Sequence, residues 1–336
     1  MYTPPFHITD AILHLVADIS EQVGALNAQL GEQAPPPLLR KENRIRTIHS
    51  SLAIEHNSLS LQQVTDIVNG KHVLGAPNEI AEVKNAIQAY QLLQDIDPLN
   101  EQDLLRAHRL MMSDLVPKAG QYRTDSVGVF DGERCIHLAP PYTRVPQLMG
   151  DLFQWLHDTT THPLISSCVF HYEFEFIHPF MDGNGRMGRY WQTALLSRWK
   201  GIFAWLPVET IVKAHQAEYY QAIAKADQQG DSTDFILFML QCLLDSVNNE
   251  KQRQEVAGKV ADKVADKVAD KVADKITTED KILQLLKNTP QLTIPEMMQQ
   301  LQMSSSGIRK VLTKLQQAGR LARHGAKKTG FWQVKD

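Results

Sequence analysis

The sequence predicts a mainly α-helical chain: a helical bundle carrying one β-hairpin, followed by a small α+β unit. Apolar residues recur at helical spacing over most of the first 250 residues, strand-like stretches are few and short, and the charge changes sign near the C-terminus.

The helical reading begins at Ile8–Leu30, where Ile12, Leu15, Val16, Ile19, Val23, Leu26 and Leu30 form one amphipathic face. The Gln-Ala-Pro-Pro-Pro run at residues 33–37 breaks it. Arg44–Leu59 and Glu79–Leu93 are further helical segments, separated by the turn-rich stretch Asn69–Asn78. Between Ser126 and Leu138 the pattern becomes two short strands around Asp131-Gly132, a tight-turn signal. Helical pattern resumes at Arg144 and runs, with one interruption, to about Asn249. Residues 256–275 read Val-Ala-Gly-Lys once and Val-Ala-Asp-Lys four times. A four-residue repeat drifts about 40° per copy on an α-helix, so its valines spiral and make no coiled-coil seam. A solvated helical spacer is the expectation. Beyond it, Lys281–Lys287, Ile294–Leu301 and Ser304–Ala318 are helical, with Thr293 and Ser304 as N-caps. Leu321–Val334 completes a hairpin with its tip at Gly325–Gly330. Three helices and a hairpin describe a winged helix.

The chain has 336 residues, 43% hydrophobic and 22% charged, enough for several domains with an ordinary core. We expect an N-terminal helical region at 1–105, a catalytic core at 106–250, a linker at 251–277 and a winged-helix domain at 278–336. The net charge of −3 conceals an asymmetry: ten Lys/Arg against two acids from Lys281 onward, a balance of +8 that leaves −11 elsewhere. Such a basic tail suits a nucleic-acid partner. The most apolar stretch, Phe235–Leu244, is about ten residues, short of the roughly 20 that span a bilayer. Cys135, Cys168 and Cys242 form no CxxC pair, and no signal peptide is recognisable. A cytoplasmic protein without membrane attachment is expected.

The chemistry concentrates in His178-Pro-Phe-Met-Asp-Gly-Asn-Gly-Arg-Met-Gly-Arg189. Gly183 and Gly185 let backbone N–H groups approach a ligand, and a helix opening near Asn184 turns its positive end into the loop. Arg186 and Arg189 lie three apart, on adjoining parts of one helical face, placed to clamp a polyphosphate. Asp182 offers a hard oxygen to Mg²⁺, and His178 can accept a proton near neutral pH. A base, a metal carboxylate, a phosphate loop and two arginines make a phosphoryl-type transfer kit, without a Walker loop or a kinase glycine loop.

This string resembles, position for position, the HPFxDGNGRxxR signature of the Fic family of AMP-transferring enzymes, and the likeness extends over roughly residues 1–250. The resemblance implies a Fic-type helical body that uses ATP with Mg²⁺. His178 would deprotonate a Tyr, Ser or Thr hydroxyl that attacks the α-phosphorus and expels pyrophosphate. Asp182 would hold Mg²⁺, Asn184 with the N–H groups of Gly183 and Gly185 the α/β-phosphates, and Arg186 the outer phosphates. Phe180 would anchor the loop in the core.

Ser51-Leu-Ala-Ile-Glu55-His56-Asn57 resembles the inhibitory [S/T]xxxE[G/N] helix of one Fic class, with His56 where Gly or Asn is usual. The resemblance implies that Glu55 pairs bidentately with Arg189 and keeps the γ-phosphate from its productive pose. Some relatives use this glutamate to remove AMP, so de-AMPylation is an alternative activity. The hairpin Ser126–Leu138 is similar to the family's target-docking flap, whose strand edge captures an extended loop of a target protein. Tyr219-Tyr-Gln-Ala-Ile-Ala-Lys-Ala-Asp resembles the family's adenine helix, which would set Tyr220, Ile223 and Asp227 around the purine, with Asp227 where Asn is common.

In the tail, Ser305, Ser306, Arg309, Lys310 and Lys314 would face DNA, with Arg323, Lys327 and Lys328 on the wing at phosphates. The expected function is an autoinhibited protein adenylyltransferase acting on a target or on itself. Two alternatives stand beside it: a DNA-binding transcription regulator with a nucleotide-sensing Fic body, and a Fic enzyme with a different donor. The partners considered are a target protein, DNA through 278–336 and a second copy in a homodimer.

Overall fold

Two helices of unusual burial organise the larger part of the chain. In the computed structural model α7 (Pro163–Ile177) is buried on nearly every side, from Leu164 to Phe174, and α8 (Asn184–Trp199) buries Met187, Tyr190, Trp191, Ala194 and Leu195. A helix apolar all round belongs at the centre of a bundle, and these two pack on each other. Pro163 starts α7 at a position where its missing N–H costs nothing, and His162 Nδ1 accepts the Leu164 N–H at 3.2 Å. Pro179 ends it, because the residue before a proline is disfavoured in the right-handed helical region; His178 instead takes φ 50° and ψ 61°.

The structure describes residues 2–30, 36–131, 134–273, 277–325 and 330–335, with backbone alone at 29–30, 128–131, 134–138, 255 and 257–273. Contacts divide the chain into two units, Met1–Arg253 and Gln254–Asp336. In the first, α1 (Asp10–Leu30), α2 (Pro37–Ile54), α3 (Leu61–Val68), α4 (Pro77–Leu92) and α5 (Glu101–Met111) precede the hairpin. After it come α6 (Val145–Asp158), α7, α8, α9 (Val208–Ala214), α10 (Gln216–Gln229) and the start of α11 (Thr233–Ala273), which runs on past Arg253. One apolar core runs from Ile12 to Val247. No helix among the described residues is long and apolar enough to cross a membrane.

Several boundaries differ from expectation. α2 starts at Pro37, about two turns before Arg44, because proline is well placed at N1; it stops at Ile54 because His56 has φ 68°. α3 was not foreseen, although Ser60 and Gln63 form a complete capping box, with the Gln63 N–H reaching Ser60 Oγ at 3.3 Å. The hairpin strands, β1 (Gly128–Asp131) and β2 (Arg134–Leu138), are antiparallel with a bulge between Val129 and Phe130. Asp131 pairs with Arg134, so the connection is residues 132–133 and not Asp131-Gly132; it lies outside the described residues, as do 31–35 in the proline-rich break. The repeat continues α11 without interruption to Ala273.

The second unit contains α12 (Thr278–Asn288), α13 (Ile294–Leu301), α14 (Ser305–Gln317) and an antiparallel pair, β3 (Leu321–His324) and β4 (Phe331–Val334). Ser304 Oγ accepts the Gly307 N–H at 3.2 Å and Thr293 shares a capping box with Glu296. Its own core gathers Ile282, Leu286, Met297, Ile308, Leu312, Leu315, Leu321 and Trp332. This is the winged-helix arrangement.

Candidate active site

The loop between α7 and α8 is held from within and from below. Asn184 closes it, accepting the Phe180 N–H through Oδ1 and donating from Nδ2 to the Phe180 carbonyl, both at 2.9 Å. The side chain expected at phosphate is therefore spent on the loop, and α8's first N–H groups remain as the donors there. Phe180 is fully buried, as expected of the anchor. Gly183 caps α8 at φ 82°, and a Cβ there would come within 2.6 Å of Met112 Sδ. Position and conformation both demand glycine.

His178 follows as the left-handed C-cap of α7, with Nδ1 3.3 Å from the Glu175 carbonyl. With a proton on Nδ1 donating to that carbonyl, Nε2 carries the lone pair, the form a base requires. His178, Gly185, Arg189, Glu55, Tyr220, Ile223 and Asp227 all line one cavity of about 180 Å³. Asp227 Oδ1 also accepts from the Tyr172 hydroxyl at 2.9 Å.

Glu55 lies at the helix mouth. Its Oε1 is 2.8 Å from Arg189 Nη2, and a Cβ added to Gly185 would stand 2.3 Å from that oxygen. The carboxylate thus covers the first turn of α8, where an anion would dock. Burial pushes the Glu55 carboxyl up, but the charge and hydrogen bond of Arg189, with Arg186 behind it, hold it below its ordinary value. The contact is single and not the two-pronged pair expected: Arg189 directs Nε to Ser51 Oγ at 3.3 Å and shares Nη2 with the Ser51 carbonyl at 3.0 Å, while its Nη1 is buried without a partner.

Arg186 is also held by carboxylates, with Nη1 3.3 Å from Glu82 and Nη2 3.4 Å from Asp182. Asp182 is exposed on the loop surface and accepts the Gly183 N–H at 2.6 Å. One open hard carboxylate fits Mg²⁺, which takes most of its oxygens from phosphate and water. Among the described residues no group of three or more His, Cys, Asp or Glu could cage a metal.

A family model described as the Fic/DOC family matches residues 98–196, and one described as a DeoR-like helix-turn-helix domain matches residues 279–327. A crystal structure of a Fic family protein from Desulfovibrio desulfuricans G20 is 43% identical, covers 99% of this chain and 98% of its own, and superposes with a TM-score of 0.71. The chain belongs to the Fic family. The protein adenylyltransferase Fic of Drosophila sechellia is 31% identical over 215 residues, 60% of this chain and 41% of the relative. The chain thus spans about two fifths of the length of the curated relatives it matches. Fic-1 from C. elegans, 24% identical with a TM-score of 0.60 over 73% of this chain and 75% of its own, shares the fold.

Three residues that hold the Fic loop have no place in the sequence reading. His108 is buried; its Nδ1 accepts the Gly120 N–H at 2.8 Å, so its protonated Nε2 donates to the Asp182 carbonyl at 3.0 Å. Its ring stacks on Phe180 at 3.6 Å and 7°. Arg123, also buried, donates from Nε to the His178 carbonyl at 2.8 Å and from its guanidinium to the carbonyls of Asp125, Pro140 and Ile177. Glu82 is steadied on Arg186 by the Asn57 amide, 2.8 Å from its other oxygen. His108 had a legible signal: with Leu104, Ala107 and Met111 it occupies the apolar face of α5, where a histidine must find partners. Arg123 and Glu82 carry no such mark.

In the second unit Arg309, Lys310 and Ser306 on α14 are exposed and Ser305 is half-buried. Lys314 is ion-paired with Glu279, turning it toward α12, a departure from the expected DNA-facing row. Arg323 lies over the Trp332 ring at 4.9 Å; Lys327 and Lys328 fall outside the described residues.

Proposed function

We propose that this Fic protein transfers AMP from ATP to a Tyr, Ser or Thr hydroxyl of a target protein or of itself, and that Glu55 restrains it. The supporting observation is the shared cavity: an imidazole, the open turn of α8 and a guanidinium covered by a carboxylate within one space. His178 takes the hydroxyl proton, the hydroxyl oxygen bonds to the α-phosphorus, and the bond to the β-phosphate oxygen breaks as pyrophosphate leaves. The N–H groups of Asn184 and Gly185, and that of Gly183 once Asp182 releases it, receive the phosphate oxygens, and Arg186 and Arg189 neutralise the departing charge. Asp182 is the ligand offered to Mg²⁺, which supplies further charge neutralisation when bound. Tyr220, Ile223 and Asp227 hold the purine, and the edge of the hairpin Ser126–Leu138 positions the target backbone. While Glu55 occupies Arg189, the γ-phosphate lacks its guanidinium.

The test is incubation with α-labelled ATP and cytosolic extract. A charge-assisted hydrogen bond contributes about 1.5–3 kcal/mol, so Glu55→Gly is expected to raise labelling roughly ten- to a hundredfold. His178→Ala should remove it, since a general base supplies about 10²–10⁴ in rate. Labelling that persists in His178→Ala refutes the transfer, and labelling indifferent to Glu55→Gly refutes the restraint.

The DeoR-like helix-turn-helix match favours a second activity, DNA binding through the basic tail with α14 as the reading helix.

A further inference from the structure

A second cavity, of about 350 Å³, opens between α2, α4 and Trp205, and shares no lining residue with the one around His178. Arg40, Lys41 and Arg44 line it, and among the described residues no Asp or Glu does. Arg40 and Arg44 are one helical turn apart, a spacing at which like charges oppose helix formation. Both guanidinium groups lie on the Trp205 ring, at 5.2 and 5.0 Å. Arg44 is fixed there, over Tyr90 at 4.7 Å and donating to the Ala204 carbonyl at 3.1 Å. Among the described residues the Arg40 side chain has no hydrogen-bond partner, and its Nε is buried. A buried guanidinium N–H without an acceptor is costly, and the edge bearing Nε is one that grips an oxyanion by two parallel hydrogen bonds.

We propose that this groove binds a small phosphomonoester, with its phosphate between Arg40 and Arg44. Three cations without a lining carboxylate suit a dianion better than a single carboxylate. The volume is at the lower end of small-molecule sites, with room beyond a phosphate for a compact organic part. Gln91 and Gln94 supply amides to its hydroxyls, and Tyr90 and Trp205 a flat wall.

Titration of the full chain with ribose 5-phosphate tests this, by calorimetry and by tryptophan emission. The Arg186→Gln background removes competition from the Fic loop. Saturable one-to-one binding is expected there, weakened at least tenfold by Arg40→Gln, a change that breaks no side-chain hydrogen bond among the described residues and keeps the Arg40 N–H on the Pro36 carbonyl. Lys41→Gln, on the exposed rim, should weaken it about threefold, and Trp205→Phe should abolish the emission change while heat of binding remains. Absence of saturable binding, or equal affinity in Arg40→Gln, overturns the site. Inorganic phosphate binding as tightly as the ester overturns its assignment to an ester.

Discussion

His108 sets the orientation of one peptide plane. Its Nε2–H holds the Asp182 carbonyl, and in a trans peptide the N–H of the next residue points the opposite way, so Gly183 presents its N–H away from His108. Burial pushes the His108 ring down to about 4, which keeps it neutral and in this tautomer at physiological pH. His108→Phe preserves the stack on Phe180 but loses both hydrogen bonds, leaving the Gly120 N–H without its acceptor. We expect it to cost about 1–3 kcal/mol of stability and to weaken ATP binding roughly tenfold, measured by denaturation and calorimetry. Between the ordinary histidine value and 4 the unfolded chain binds a proton that folded His108 refuses, so this residue's stabilisation is complete above 6.5 and falls as pH drops toward 4. His171, pushed to about 3 by burial, acts in the same direction, and Glu173, raised to about 7 by burial, opposes them. The variant should therefore show a flatter slope than the native chain, not a flat one. Equal slopes would refute this assignment. His56 shows the same economy: its φ of 68° accounts for the Gly or Asn usual there, and histidine is among the residues that tolerate this region.

The end of α2 is a docked element. A helix leaves its last carbonyls without partners, and here three other helices supply them. Arg189 of α8 donates to the Ser51 carbonyl, Lys213 of α9 to Ala53 at 2.7 Å, and Gln216 and Tyr220 of α10 to Ile54 at 3.0 and 3.4 Å. Glu55 is therefore carried to Arg189 by a helix end fastened at several points, and Tyr220 belongs both to the fastening and to the cavity around His178. Lys213 lines neither that cavity nor the loop. Lys213→Ala should cost about 1 kcal/mol and raise labelling to a level between those of the native chain and Glu55→Gly. Labelling at the native level would show that Glu55 is held by Arg189 alone. None of these contacts has a sequence signature, since they join residues 138 to 166 positions apart.

Each unit has its own hydrophobic core, and the charge differs in sign between the tail and the rest of the chain. A basic helix-turn-helix unit joined to an acidic body should bind duplex DNA through phosphates, with affinity falling steeply as salt rises. Fluorescence anisotropy with labelled duplex is expected to show a log–log salt slope of about −0.9 per phosphate contacted, equal in the native chain and in His178→Ala. Arg309→Ala and Lys310→Ala should each reduce that slope by about one. Binding absent at low salt, or unchanged by these substitutions, would assign the tail to another partner.

What could be read from the linear chain was whatever depends on neighbours in sequence. Helical spacing, Pro163 and Pro179 at the ends of α7, the glycines of the loop, the Ser304 and Thr293 caps and the hairpin of the tail all act through residues a few positions apart. The motif from His178 to Arg189 was legible for the same reason: one loop and one helix turn carry its histidine, its glycines and its arginines. The pairing of Glu55 with Arg189 was implied by the family resemblance, whereas only the tertiary structure brought Glu82 onto Arg186, His108 and Arg123 beneath the loop, and the Asn184 side chain onto the Phe180 backbone. Those contacts depend on which helix faces lie together, and packing of many weak interactions settles that collectively.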